Sequence, residues 1–284
     1  MGLLKSLFFS TLLFLASFAF LIHRNAAADL YTMVFKGCSQ QTFTGNSGFQ
    51  QTLTSLFDSL IAQSASTRFF KTSVGSGQNA ATGLFQCRGD LSNADCNSCI
   101  RKIPEMSSGL CGNAVAARIQ LTGCYALYQI TGFPQIPGTQ MLYKTCSPSE
   151  GNFEEKRDTA FAAVESGITG GNGFYATTYA SVYAIAQCEG DLSVADCGQC
   201  VKEAVQKAQV ECGKSVAGQV YLNRCYFSFS YYGNGVSHHS SPSGSGQQQT
   251  GKTVAIVVGG AAALAFGVIC LLFLRSLLKK RDDY

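Results

Sequence analysis

A cysteine frame written twice constrains this chain more than any other feature. Cys87-Arg88-Gly89-Asp90-Leu91-Ser92 leads to Cys96 and Cys99, and Cys188-Glu189-Gly190-Asp191-Leu192-Ser193 leads to Cys197 and Cys200, 101 residues later. Each stretch lies in a set of six: Cys38, Cys87, Cys96, Cys99, Cys111 and Cys124, then Cys146, Cys188, Cys197, Cys200, Cys212 and Cys225. From the second cysteine onward both sets advance by 9, 3, 12 and 13 residues, so the chain contains an internal repeat. An even number of cysteines per repeat, behind a secretion signal, reads as a disulfide framework, each bridge worth about 2–4 kcal/mol. Spacing alone leaves the pairing open.

The rest of the chain arranges itself around the two repeats. Residues 1–28 read as a signal peptide: Lys5, an apolar run over 7–22, then Ala26, Ala27 and Ala28 before Asp29. The first cysteine-rich repeat spans 29–132. Phe49, Leu53, Leu56, Phe57, Leu60 and Ile61 recur at helical spacing. Residues 68–74, 82–87, 115–120 and 124–130 read as strands. Ser92 with Asp95, and Ser193 with Asp196, look like capping pairs that start a second helix in each repeat. Pro134, Pro137 and Gly138 mark a stiff linker over 133–140. The second repeat spans 141–232, with its first helix over 153–164. The step between its first two cysteines is 42 residues against 49, and the shortening falls before Cys188. Residues 233–252, rich in Ser, Gly and Gln, read as a flexible stalk. Residues 253–274 carry no charge and extend about 33 Å as a helix, enough to cross a hydrocarbon core of about 30 Å. Arg275, Lys279, Lys280 and Arg281 follow, so the 275–284 tail is placed in the cytosol. The expected fold class is α+β: two tandem disulfide-rich domains, each an antiparallel sheet packed with two helices, plus one C-terminal transmembrane helix.

Charge and histidine content narrow the chemistry. The net charge of +4 comes from the flanks; basic and acidic residues balance between Asp29 and Lys252, so nucleic-acid binding has no electrostatic basis. The three histidines are His23, in the signal, and His238 and His239, in the stalk. Neither repeat therefore has a base for Ser-His or Cys-His catalysis, and a solvated stalk explains the His238-His239 pair better than a metal site. Cys96 with Cys99, and Cys197 with Cys200, have the form of a zinc or redox pair, but every thiol has a partner within its sextet. Asp90, Asp95, Asp191 and Asp196 recur symmetrically as carboxylates; Asp95 and Asp196 belong to helix starts, Asp90 and Asp191 to the preceding turns. The expectation is a non-enzyme without a cofactor. In the membrane segment Ala255, Gly259, Ala263 and Gly267 form a small-residue stripe suited to self-association. Cys270 is an apolar filler or an acylation site near the cytosolic end.

The Cys-x8-Cys-x2-Cys core, entered through Phe35-Lys36-Gly37-Cys38 and Tyr143-Lys144-Thr145-Cys146, resembles the plant repeat called domain of unknown function 26, the ginkbilobin-homologous or salt-stress/antifungal domain. Signal, two repeats, stalk, one membrane helix and a short tail together resemble the plasmodesmata-located proteins. The resemblance implies the pairing Cys38–Cys111, Cys87–Cys96, Cys99–Cys124, Cys146–Cys212, Cys188–Cys197 and Cys200–Cys225. It also implies a non-catalytic type I protein of the plasma membrane at plasmodesmata, with the repeats extracellular. Such a protein would modulate cell-to-cell trafficking, with roles in callose-linked permeability and defence, and with protein partners that include viral movement proteins. Mannose-binding members use an Asn after the first cysteine, an Arg after the fifth and a Glu after the sixth. The corresponding residues are Ser39, Arg118 and Gln129, then Ser147, Gln219 and Ser230, so only Arg118 matches. Without the carboxylate the charge-assisted bonds to sugar hydroxyls are weakened. The chain also has no tryptophan for stacking. Arg118 is thus a weak ligand candidate set against an ordinary surface strand residue. The alternative function is a cell-surface lectin or co-receptor for a wall or microbial glycan.

Overall fold

The computed structural model describes residues 30–44, 48–149 and 153–232. The signal segment, the stalk, the 253–274 span, its stripe of Ala255, Gly259, Ala263 and Gly267, Cys270 and the tail lie outside the described residues. Among those described, no helix is long and apolar enough to cross a membrane.

Repeat one runs β1 (Met33–Cys38), α1 (Gly48–Ser64), β2 (Phe69–Val74), β3 (Ala81–Cys87), α2 (Asn93–Ile100), α3 (Ile103–Cys111), β4 (Ala116–Leu121) and β5 (Cys124–Ile130). Repeat two runs β6 (Met141–Cys146), α4 (Glu154–Ile168), β7 (Phe174–Tyr179), β8 (Val182–Cys188), α5 (Val194–Cys212), β9 (Ala217–Leu222) and β10 (Cys225–Tyr231). Each repeat folds into a five-stranded antiparallel sheet, ordered β1-β4-β5-β3-β2 and β6-β9-β10-β8-β7.

One expectation needs correction. Among the described residues repeat two packs two α-helices on its sheet, but repeat one packs three, because the second helix is interrupted after Ile100. Pro104 stands in the first turn of α3. Proline lacks the N–H that would continue the ladder and its ring crowds the preceding turn, so it is tolerated only where a helix begins. Repeat two has no proline between Val194 and Cys212, and α5 is continuous over 19 residues.

Strand alternation sends one set of side chains toward the helices. In repeat one, Phe85, Ile119, Leu121 and Tyr128 meet Phe49, Leu56, Phe57 and Leu60 of α1. Gly83 makes that approach possible, since a Cβ there would lie 2.7 Å from Leu56 Cδ2. In repeat two, Phe161 of α4 meets Phe227 and Phe229 edge-on, at centroid distances of 4.6 and 4.9 Å. Such pairs add about 0.5–1.5 kcal/mol to the burial itself.

The bridges are Cys38–Cys111, Cys87–Cys96, Cys99–Cys124, Cys146–Cys212, Cys188–Cys197 and Cys200–Cys225. Two of them in each repeat fasten the second helical segment between neighbouring strands whose end cysteines face each other, Cys87 with Cys124 and Cys188 with Cys225. The third ties the edge strand to the end of that segment. Ser92 Oγ accepts the Asp95 amide at 3.1 Å, and its own hydroxyl donates to Asp95 Oδ2 at 2.6 Å. Ser193 and Asp196 repeat both contacts at the same distances. The shortening of repeat two is concentrated in one hairpin. Residues 75–80 join β2 to β3, whereas only Ala180 and Ser181 join β7 to β8, both at positive φ (43° and 71°).

These contacts rank two substitutions. Phe161→Ala is expected to cost about 3–5 kcal/mol of unfolding free energy, and Ser193→Ala about 1 kcal/mol, measured by denaturant titration under non-reducing conditions.

Candidate functional site

Most of the strand residues that point away from the helices near the cysteine turns do not face solvent. In repeat one these are Leu84, Gln86, Arg118, Gln120 and Tyr125; in repeat two, Ile185, Gln187, Gln219, Tyr221 and Ser228. All are buried. The two sheets pack through these faces. At the β1/β6 end, Phe35 stacks on Tyr143 across the repeats, with centroids 5.3 Å apart and rings 14° from parallel.

The repeated motif itself supplies the reciprocal contacts. Gln86 Oε1 accepts the Gly190 amide at 2.9 Å, and Gln187 Oε1 accepts the Gly89 amide at 3.2 Å. Gln187 Nε2 also donates to the Cys87 carbonyl at 2.9 Å. Each glycine lies under an aromatic ring of the other repeat: a Cβ on Gly89 would fall 2.3 Å from Phe174 Cγ, and one on Gly190 2.6 Å from Phe69 Cγ. Phe69 and Phe174 open equivalent strands, β2 and β7, opposite Gln86 and Gln187. The junction is therefore a pseudo-two-fold arrangement built on the Cys-x-Gly-Asp turn.

A chain of charged groups crosses the same junction. The Arg118 guanidinium lies 3.9 Å from the Tyr125 ring centroid, and its Nη1 donates to the Asn223 carbonyl of repeat two at 2.8 Å. The Tyr125 hydroxyl donates to Glu189 Oε2 at 3.0 Å. Arg224 donates to Glu189 Oε1 through Nε (3.2 Å) and Nη2 (3.0 Å), and also reaches Asp191. Lys71 of repeat one closes the chain on Asp191 Oδ2 at 2.9 Å. Glu189 is only 7% exposed. Burial pushes its carboxyl above the usual carboxylate range, while Arg224 and the Tyr125 hydroxyl pull the other way. Burial also raises the Tyr125 phenol. Burial acts on Asp191 in the same sense, but the Lys71 hydrogen bond and the Arg224 charge outweigh it and hold this carboxyl below its ordinary value.

Several sequence-derived residues take on new roles here. Arg118 is 8% exposed and belongs to the junction, so it is neither an open sugar contact nor a surface strand residue. Ser39 donates locally to the Gln41 carbonyl. Ser147 accepts the Ala217 amide, Gln219 accepts the Tyr221 hydroxyl, and Ser230 donates to the Tyr232 hydroxyl. Gln129 stands apart on β5 without joining Arg118 in a common site. Asp90 pairs with Arg88 at 2.7 Å inside its own turn, as a turn residue should, whereas Asp191 reaches across to Lys71. Glu189, Arg224, Gln86 and Gln187 were not singled out by sequence. Their one signal was the inequivalence of Arg88 and Glu189 in otherwise matching motifs. A cavity of about 60 Å³ remains between the faces, enough for a few waters. Among the described residues no group of His, Cys, Asp and Glu could hold a metal ion.

The sequence pattern of the salt stress response/antifungal family matches residues 37–131 and 140–232. Plasmodesmata-located protein 2 of Arabidopsis thaliana is 49% identical over 282 residues, covering 92% of each chain. The chain belongs to the plasmodesmata-located protein family. Plasmodesmata-located protein 1 of the same plant is 44% identical over 90% of this chain and 91% of its own. The crystal structure of the tandem DUF26 ectodomain of the Arabidopsis thaliana cysteine-rich receptor-like protein PDLP8 aligns with a TM-score of 0.66. It is 33% identical and covers 72% of this chain and all of that one. The tandem arrangement of cysteine-rich repeats is thus common to this chain and to a solved structure of the plasmodesmata-located family.

Gly89→Ala and Gly190→Ala are each expected to destabilise the junction by about 1–3 kcal/mol through overpacking, read as faster proteolysis of the 133–140 linker. Arg118→Ala is expected to cost about 2 kcal/mol, mainly from the lost guanidinium–ring contact. Because Asp191 titrates below its unfolded value, it contributes stability above about pH 4, and that contribution is lost as pH falls through its lower folded value. The stability difference between wild type and Asp191→Asn should therefore be present at pH 6 and vanish in acid, as followed by thermal unfolding across pH.

Proposed function

We propose that this chain is a non-catalytic, single-pass type I membrane protein of plasmodesmata that modulates cell-to-cell trafficking. Its extracellular pair of repeats is held as one body to meet a partner at the wall side of the membrane. The observation that carries the reading is near full-length similarity to plasmodesmata-located proteins, 49% identity across 92% of the chain in one case. A clamped tandem ectodomain with balanced charge suits recognition, and the sequence offers the repeats no histidine for acid–base or nucleophilic catalysis. In this reading the uncharged 253–274 span anchors the protein, and the basic tail faces the cytosol. Callose-linked control of permeability, a part in defence and docking of viral movement proteins are the finer roles that follow from it. The Ala255, Gly259, Ala263 and Gly267 stripe is the proposed face for self-association in the membrane.

A C-terminal fluorescent fusion in leaf epidermis is expected to give puncta at wall junctions, and raising its level to change the spread of a diffusible fluorescent tracer. Uniform plasma-membrane signal with unchanged tracer spread would reject the proposal in favour of a general surface co-receptor. Gly259→Leu combined with Gly267→Leu is expected to weaken self-association, as read by energy transfer between differently labelled copies.

A further inference from the structure

A second concavity lies at the edge of the junction, between the inner face of sheet one and the linker, and it has a volume of about 320 Å³. Its floor is aliphatic, formed by Leu84 and Leu127, and Ile136 of the linker stands on its wall 42% exposed. Its polar groups are mostly amides. Among the described residues the Gln129 side chain has no hydrogen-bond partner. Gln135 donates through its amide nitrogen to the Phe133 carbonyl, and Asn223 to the Ile136 carbonyl, which leaves both amide oxygens as acceptors. The charged groups at the far end are already matched to one another, Lys71 with Asp191 and Arg224 with Glu189 and Asp191.

The equivalent positions of repeat two are more deeply buried. Ser228 and Ser230 occupy the positions of Leu127 and Gln129, and both are 5% exposed, whereas Leu127 and Gln129 are half-buried. The 101-residue offset places Tyr183 where repeat one has Thr82, and Tyr232 where it has Thr131. Tyr232 accepts the Ser230 hydroxyl at 2.9 Å. Thr82 lines the groove, and its smaller side chain leaves room there that a tyrosine would fill.

We propose that the groove binds a short peptide segment in extended form that carries an uncharged aliphatic side chain. Side-chain amides pair with peptide groups in both directions: the free Gln129 amide meets a carbonyl and an N–H, and the Gln135 and Asn223 oxygens accept further N–H groups. Leu127 and Ile136 receive the aliphatic side chain. β3 and β5 are inner strands whose backbone groups are used within the sheet, so recognition comes from side chains and not from strand addition. A saccharide fits less well, because no aromatic ring lines the groove among the described residues. A charged ligand finds no unmatched ion. The proposal relies on the extracellular-ectodomain reading only to place the partner outside the cell.

The test pans a random dodecapeptide phage library on the full-length chain in a non-glycosidic detergent, with Thr82→Tyr as the counter-selection. Enriched peptides should share an aliphatic residue without flanking charge. A synthetic peptide of that consensus should bind Thr82→Tyr and Gln129→Ala about tenfold or more weakly than wild type, one or two hydrogen bonds' worth. Repeat two already carries tyrosine at the equivalent place, and Gln129→Ala removes only an unpaired amide, so at least one variant should keep the wild-type melting temperature. The proposal is overturned if nothing is enriched over the counter-selection, if both variants bind like wild type, or if neutral hexose oligomers and not peptides raise the melting temperature of wild type alone. The assay is independent of where the protein resides in the cell, so a null result here is distinct from a failure of the localisation test.

Discussion

The structure depends on a reciprocal contact: the side-chain amide of one repeat accepts the backbone N–H of the other repeat's Cys-x-Gly turn. Gln86 holds Gly190 and Gln187 holds Gly89. Each bond is modest by itself, about 1 kcal/mol net, but leaving any of these buried groups unpaired would cost more than that. The pair is sealed by Phe69 and Phe174, which sit so close to the glycines that no other residue fits without displacement. The disulfides serve this junction indirectly. Cys87–Cys96 and Cys188–Cys197 begin at the residue directly after each glutamine, so each bridge pins the start of the turn that carries the glycine. The cysteine frame thus builds each repeat and also presents the surface through which the repeats join.

Much of a single repeat was legible in the sequence, and the junction between repeats was not. Helical spacing from Phe49 to Ile61, the Ser92 and Ser193 caps and the strands ending at Cys87 and Cys188 are local signals, and the fold obeys them. The break before α3 is a local signal too, carried by Pro104, but cysteine spacing shared with an unbroken helix masks it. The junction fails to announce itself for a physical reason. An antiparallel sheet with helices on one face ordinarily presents polar residues to water on the other, and Gln86, Gln120, Gln187 and Gln219 fit that pattern. They are buried nonetheless, because a second sheet covers them in place of water: Gln86 and Gln187 find hydrogen bonds across the junction, whereas Gln120 donates to the Leu121 carbonyl of its own strand. For the same reason Arg118 read as an exposed residue or a sugar contact. Period-two alternation separates the two faces of a strand; it does not say what covers the polar one.

The pseudo-symmetry is geometric more than chemical. Equivalent positions hold Arg88 and Glu189, Arg118 and Gln219, Gly123 and Arg224. The buried carboxylate of Glu189 therefore draws one partner from its own repeat, Arg224, and another from repeat one, Tyr125. Breaking such a buried set by removing one member costs more than its formation gains, since the remaining charge has nowhere to go. Asp191 is different. It is partly exposed, and its ion pairs with Lys71 and Arg224 are screened by solvent, so it tunes the junction with pH more than it holds it together.

Once the two inner faces are committed to each other, the surface available for recognition is what that pairing leaves at its margins. Reciprocal contacts must be matched on both sides and so leave little room to vary. The margins carry no such requirement: a hairpin of two residues in one repeat corresponds to a six-residue loop in the other, and Tyr183 and Tyr232 correspond to Thr82 and Thr131. The open groove lies beside Thr82, where the inner face of repeat one meets the linker, and it has contributions from both repeats through Leu127 and Asn223. Neither repeat alone would form it. A tandem ectodomain therefore does more than duplicate a domain, because the clamp that consumes two polar faces also creates a site from the parts that do not match.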